Sequence, residues 1–522
     1  MKIIRCFLTV SGIILMFQQQ LFSQHIDVTA SKFDVINSII KLHKIFGHDE
    51  DHYFVVKFTG TQYYLEKLDR NLNHVSEESI KLFKGLKTYK LESVFHFYNE
   101  IYIFVSRARI NDITLYYQRI DKNTLLPVTD ELFEITTIKN IKGAWADFHF
   151  ALSRHETRLM VSARTKLTWS GAQFNEFFVF GPELELIWKR KDSFEFRGQG
   201  PRDNLYLVDE NGNVSILSLI KRESLLSLIR DFRNLYTIYR YTHDGNDYNE
   251  YPVTLNDLYI RGIKIIAGED GELICAGLYS EVFKTGIRGT FFFKIDATTG
   301  QVFDSHINQF DESVMTELAA MKEPMIRDEE LISYVITDIV LRDQGKMIII
   351  AEQVFHQNYN TYNNLIVTCY DPYGAVFWTR VIPKNQNFGN ANLNLADVDL
   401  LDFREYIRQT GYIDSETDNY CSYALMAPLN KTGIILFMND DIRNMNQTVE
   451  PRPLSRPKKS YILAIALDEF GNITRTPLVQ WKKRMLFPQP IRYYDTLGDT
   501  IVIPAFRYRN INYYKFTADA IP

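Results

Sequence analysis

Three aspartates enter strand-like apolar runs at matching places: Asp147 in ADFHF, Asp257 in NDLYI and Asp338 in TDIVL. Carboxylates repeated at one height around a channel would form an acidic ring suited to a cation or a polar ligand. Like charges held that close raise one another's pKa unless a cation or an Arg compensates. A second set comprises Glu352, His356, Lys384 and Gln386. Glu352 ends the apolar run MIIIAEQ, and Lys384 follows VIP at the exit of another. If both ends face the same side, acid, base and amide converge there, as glycan or peptide recognition requires. Each set also has a plain structural reading. The aspartates would bond the turn amides of their own units, and the charges of the second set would sit at solvated strand ends.

Motifs that carry chemistry by themselves are missing. There is no nucleophile elbow, no zinc-binding His-Glu pair, no phosphate loop and no calcium loop. VDENGNV places Asp209 and Asn211 at ligand-like spacing but lacks the acidic ligands that follow in a calcium loop. No residue is singled out as catalytic, no metal-ligand set is assigned, and the cofactor is left open.

The elements that must position these residues are strands, from end to end. The clearest unit runs from Leu91 to Ile135, as LESVFHF, EIYIFVSRA, ITLYYQRID and PVTDELFEI. Four strands in about 45 residues is the size of a propeller blade. Similar units occupy Asp147 to Arg190, Asp257 to Ile307 and Val335 to Ile382. Looser ones cover Phe33 to Ile80, Phe194 to Tyr241, Tyr423 to Val479 and Ile491 to Phe516. The count is eight, with seven as the alternative because the looser boundaries can be drawn differently.

One turn repeats. An apolar strand ends in Asp, turn residues follow, often with Gly, and an apolar residue opens the next strand. The copies begin at Asp69, Asp121, Asp209, Asp296, Asp371 and Asp468. Asp suits the first position because its carboxylate accepts from the backbone just ahead, and Gly supplies positive φ. Three segments break the pattern. Asp311 to Glu323 has Val314, Leu318 and Met321 at helical spacing behind Asp311 as N-cap. Asn387 to Asn419 is long and polar, and Asp440 to Lys459 holds three prolines and reads as an exposed loop.

So many strands cannot all be sheet edges. Radial blades packed face to face solve this, each interface burying its own core. Tandem β-sandwiches would need Greek-key spacing and linkers, and neither appears. The expected fold is therefore all-β: a β-propeller of seven or eight four-stranded blades, with short helical or loop insertions. His25 to Ala30 is available to complete the last unit and close the ring. The turn Asp296-Ala297-Thr298-Thr299-Gly300-Gln301-Val302 resembles the blade turn of quinoprotein-type propellers, and that resemblance implies the fold. It departs from the family where Phe303 stands in place of the Trp that would follow. Only Trp188 and Trp378, of five Trp in the chain, sit on comparable final strands, so the cofactor does not carry over. More broadly the chain resembles secreted bacterial proteins with propeller-like repeats, which implies no particular activity.

The N-terminus reads as an export signal. Lys2 and Arg5 precede the uncharged run Phe7 to Phe17, which is too short to span a bilayer. Ser23 is a plausible last residue before cleavage, giving a signal peptide over 1–23 and a single propeller domain over 24–522. Cys6 precedes the apolar run, so no lipid-anchoring cysteine is read. Export takes the formal net charge from −5 to −7, since Lys2 and Arg5 are the charges removed. That balance argues against nucleic acid, which needs a basic face. No later segment is long and apolar enough for a transmembrane helix. Cys275, Cys369 and Cys421 show neither a disulfide framework nor metal-ligand spacing, and are expected as buried small hydrophobes. Aromatics at 14 %, with 36 Phe and 31 Tyr, favour half-buried strands.

Three function classes follow. An exported binding or scaffold protein of the cell envelope, taking a protein or glycan ligand, leads because the repeat is clear and no catalytic motif is. A carbohydrate-active hydrolase or lyase is second, since hydrolases of that kind need two carboxylates at set separation. A quinoprotein-like oxidoreductase is third.

Overall fold

Alternation of apolar and polar residues, punctuated by Asp and Gly turns, dictates short antiparallel strands, and the chain forms eight sheets of four. The computed structural model describes residues 26–32, 34–35, 40–84, 87–139, 146–165, 172–195, 204–220, 235–242, 244–268, 271–282, 286–296, 299–321, 326–327, 330–356, 359–390, 420–427, 431–445, 451–454, 460–480, 486–496, 498–507 and 510–518. The blades fall within residues 42–80, 90–139, 146–195, 204–253, 259–309, 334–382, 423–480 and 494–518. They are numbered here from first to eighth. Each is an up-and-down meander. The first strands of successive blades approach one another, so they lie innermost and line the central channel.

The ring is closed by the start of the chain. Ile26–Ala30 pairs antiparallel with Asn510–Ala518, matching Ile26 to Ala518 and Ala30 to Tyr514, and supplies the eighth blade's outer strand. His25 and the expected signal segment lie outside the described residues.

The core is divided among the interfaces between blades. Phe54, Val56 and Leu65 of the first blade pack with Val94, Ile101 and Ile103 of the second. Equivalent clusters join second to third, third to fourth, fourth to fifth and fifth to sixth. One larger cluster joins the sixth, seventh and eighth. Val502, Phe506 and Tyr513 then meet Ile45 and Tyr53 and seal the eighth blade on the first. Middle strands are covered on both faces, so Leu273–Ser280 and Ser460–Leu467 are buried throughout. Outer strands such as Val302–Gln309 alternate between exposed and half-buried.

All six repeated aspartates cap their turns: each carboxylate accepts from a backbone N–H two to four residues ahead. Five of these turns join the third and fourth strands of a blade, and Asp209 instead joins the first and second of the fourth blade. The fourth unit occupies 204–253 and not Phe194 to Tyr241, because the third blade's outer strand, Leu186–Glu195, runs on through its charged end. The expected helix forms as Glu312–Ala320, with Val314 N–H donating to the Asp311 carboxylate at 2.8 Å. Asp440 to Lys459 is not simply an exposed loop. Asp440 and Asp441 end the strand Ile434–Asp441, and both are buried with Asn444 and Leu454. Asn444 pins the segment by donating to Asp440 Oδ1 at 2.7 Å and accepting from Arg452 N at 2.8 Å. Cys275, Cys369 and Cys421 are buried.

Candidate functional site

Four antiparallel strands per blade give the ring two unlike mouths. Turns between strands one and two, and between three and four, open on one of them, the turn mouth. Links between strands two and three, and from each blade to the next, open on the other. All three pattern-breaking segments belong to the second kind, so this is the insertion mouth. Apart from the two-residue strands Phe83–Lys84 and Lys87–Thr88 between the first and second blades, its described additions stand over the fifth to seventh blades. They are the helix Glu312–Ala320, a small sheet of Gly286–Ile287, Glu330–Ile332 and Ile326–Arg327, the strand Gln386–Asn390 and the turn Ile442–Asn444. Residues 391–419 lie outside the described residues.

Beneath these additions the structure brings together Glu352, Lys384 and Gln386. Glu352 sits on the sixth blade's second strand, Met347–His356, just before a register shift. Lys384 follows the outer strand Val376–Ile382, and its N–H donates to Asn364 Oδ1 at 3.0 Å, folding it back over the blade. Its ammonium donates to Glu352 Oε1 and, at 3.3 Å, to Gln386 Oε1. Ser422 Oγ donates to Glu352 Oε2 at 2.6 Å, and Ser422 N donates to Gln386 Oε1 at 2.7 Å. Gln386 Nε2 in turn donates to Asn439 O at 2.8 Å. Asn439 Nδ2 reaches Tyr420 O at 2.9 Å and Pro488 O, in the link to the eighth blade, at 3.0 Å.

The arrangement differs from solvated strand ends in one decisive respect: Glu352 and Gln386 are 0 % exposed and Lys384 is 3 %. An ion pair out of water holds only when further hydrogen bonds satisfy both charges, and here Ser422 and Gln386 do so. Chemically it is a brace tying the sixth blade to the seventh and, through Asn439, to the eighth. His356 ends the same strand, and its side chain lies outside the described residues.

The three aspartates do not share a register position. Asp147 is the second residue of Ala146–Leu152, half-exposed and 3.6 Å from Arg164 of the neighbouring strand. Asp257 lies exposed in the turn before Tyr259–Ala267. Asp338 is buried at a register shift inside Tyr334–Leu341, and its Oδ2 accepts from Tyr423 OH of the next blade at 2.6 Å. Among the described residues, no three His, Cys, Asp or Glu gather as a metal site needs.

Sequence reasoning missed two clusters. At the insertion mouth, Asp440, Tyr461 and Arg475 share a buried face of the seventh blade. Burial raises the Asp440 carboxyl above its ordinary range and lowers Arg475, and burial and Asp440 together raise Tyr461. The signal was the pair Asp440-Asp441 directly after an apolar strand. At the turn mouth, the third blade's turn Ser153 to Arg158 reaches over the channel. Glu156 lies near enough to Tyr494 of the eighth blade, and Arg154 to Arg342 of the sixth, for their charges to interact. Glu210 of the fourth blade clamps the turn, accepting from Ser153 Oγ at 2.9 Å, His155 N at 2.7 Å and Thr157 Oγ1. Burial alone would raise Glu210, but these bonds outweigh it and hold the carboxyl below its ordinary range. No sequence pattern announces that crossing.

No protein-family model and no curated protein matches the chain. Among solved structures it is similar to an oligogalacturonate lyase in complex with manganese, at 9 % identity and a TM-score of 0.37, covering 95 % of this chain and 98 % of that one. It is also similar to a polysaccharide lyase, an ulvan lyase, at 8 % identity and a TM-score of 0.36, covering 92 % and 95 %. A third similar structure comes from work on two prolyl endopeptidases, at 8 % identity and a TM-score of 0.37. There 90 % of this chain is covered, and it spans 55 % of the other chain's length. Likenesses this distant carry no statement about activity.

Proposed function

We propose that the protein is an exported binding or scaffold module of the cell envelope, presenting a protein or glycan ligand at its insertion mouth. One observation carries the reading: the described additions to the blade pattern, apart from the short pair Phe83–Lys84 and Lys87–Thr88, stand together on that mouth over the fifth to seventh blades. Binding residues concentrate on segments held by a rigid scaffold, and the buried Glu352–Lys384 brace supplies rigidity directly below them. The turn mouth offers less, being built of tight capped turns and crossed by the third blade's turn. Export is proposed from the basic-then-apolar N-terminus.

Two measurements test this. N-terminal sequencing of protein recovered outside the cytoplasm should find a start near Gln24 or His25, and an intact Met1 there would refute processing. For binding, the double variant Thr316→Arg, Ala320→Arg charges the exposed face of the helix. It should weaken retention on a glycan array or on immobilised envelope proteins. The exposed turn-mouth change Tyr373→Ser should not. The opposite ranking would move the binding face to the turn mouth.

A further inference from the structure

A lateral cleft of about 320 Å³ opens between the fifth and sixth blades. One wall is the end of the fifth blade's outer strand, Ile307, Asn308 and Gln309. The other is Val376 and Thr379 of the sixth blade's outer strand. Thr290 lies at its floor, and Phe310 and Asp311 roof it where the helix Glu312–Ala320 begins. The volume is at the lower end of the range for small-molecule pockets.

The chemistry of the lining is selective. Two amides, two hydroxyls and one carboxylate face a space that contains no Lys, Arg or His. The carboxylate is already engaged, accepting from Ser313 Oγ at 2.6 Å and Val314 N at 2.8 Å, and those bonds hold it below its ordinary range. An anionic ligand would meet the negative charge of Asp311, while Arg380, the cation whose charge reaches that carboxylate, is outside the lining and committed to Gly471 O and Thr379 O, so the desolvation cost would be high. Ile307 and Val376, both substantially exposed, provide apolar surface for C–H groups. Asn308 adds a second observation, because its Nδ2 is buried and has no hydrogen-bond partner. A buried donor left unpaired costs about 1–3 kcal/mol, so a turn of the Asn308 amide that brings Nδ2 to a ligand oxygen in the cleft is favoured.

We propose that this cleft is a binding subsite for a neutral, hydroxyl-rich ligand the size of one or two sugar rings, with Asn308 as its principal donor. Amide and hydroxyl groups match ring hydroxyls, and Ile307 and Val376 match the apolar face of a ring. The proposal does not depend on the insertion mouth being the main binding face, because the cleft opens at the ring's periphery.

The test uses the full mature chain and ligand-observed saturation-transfer NMR. Maltotetraose, cellotetraose and xylotetraose are the neutral probes, and an oligogalacturonate is the anionic control. At least one neutral probe should bind and the control should not. Asn308→Ala should weaken that binding about tenfold, and Val376→Trp, a change at an exposed position that fills the cleft, should abolish it. Both variants should keep the parent's melting temperature, which separates loss of the site from loss of the fold. Absence of binding by all three neutral probes overturns the proposal. So does binding that survives Val376→Trp, or equal binding of the anionic control. Thr316→Arg, Ala320→Arg should leave cleft binding unchanged, so either reading can fail without the other.

Discussion

Trp378 on the sixth blade's outer strand lies against Gly471 in a turn of the seventh. A Cβ on Gly471 would stand 2.7 Å from the indole Cδ2, and the indole N–H donates to Glu469 O at 3.0 Å. The same relationship recurs around the ring. Trp188 lies against Gly245 of the fourth blade, Tyr251 against Gly300 of the fifth, and Phe292 against Gly374 of the sixth. Among the described residues an aromatic side chain thus docks against a turn glycine of the next blade in four places, from the outer strand in three of them and from the third strand, Gly289–Ile295, for Phe292. Sequence search for tryptophan alone saw half of it.

Gly471 has φ +76°, and Gly245 the same value. An L-residue there is strained, and its Cβ would also displace the indole. Gly471→Ala and Gly245→Ala should each cost about 2–4 kcal/mol, read by chemical denaturation. Gly498→Ala is the control, since its nearest neighbour is 3.6 Å away, and it should be close to neutral.

Breaking the buried brace should be among the most damaging single changes. Lys384→Met strands the Glu352 carboxylate in the interior and should cost about 3–5 kcal/mol. Combining it with Glu352→Leu should recover most of that loss, because a buried ion pair is replaceable by apolar groups of similar size. Urea melts of the two singles and the double measure the coupling. Additive losses would contradict the pairing.

The aspartates should behave unequally. Asp338→Ala removes the acceptor of the buried Tyr423 hydroxyl and should cost about 1–3 kcal/mol. Asp147→Ala and Asp257→Ala, at more exposed positions, should stay within about 0.5 kcal/mol. Thermal melts with and without calcium distinguish this from a shared cation, which would make all three matter alike and make the parent's melt calcium-dependent.

Stability should fall with acid before most carboxylates titrate. Burial lowers His43, His48, His96 and His149 from the ordinary 6.5, the last two to about 4. An imidazole lowered by folding takes its proton first in the unfolded chain. Its stability contribution is therefore whole above pH 6.5 and declines toward the folded value. Asp440, Glu156 and Glu317 act in the opposite sense, since burial raises each carboxyl and the folded chain protonates first. Four imidazoles, two of them lowered to about 4, against three raised carboxyls should give falling melting temperatures from pH 6.5 to 4.5, and His149→Gln should flatten that slope. A flat parent profile would contradict it.

The blade pattern was legible because it is local. Apolar alternation, the capped aspartate turns and the N-cap at Asp311 each depend on residues within a few positions of one another, and all formed as read. Unit boundaries were less legible where a strand runs on through charges, as at Lys191 and Asp192 of the third blade's outer strand.

What the sequence by itself determined is the strand repeat, the turn chemistry and the set of polar residues without local partners. Which of those residues meet was decided by ring closure alone. Glu352 belongs to the sixth blade and Lys384 and Ser422 to the two ends of its link to the seventh, and Asp338 finds Tyr423 from 85 positions away. Burial was decided at the same step. A strand-end charge is solvated or enclosed according to what the next blade lays over it, and the sequence of one blade contains no term for the face of another.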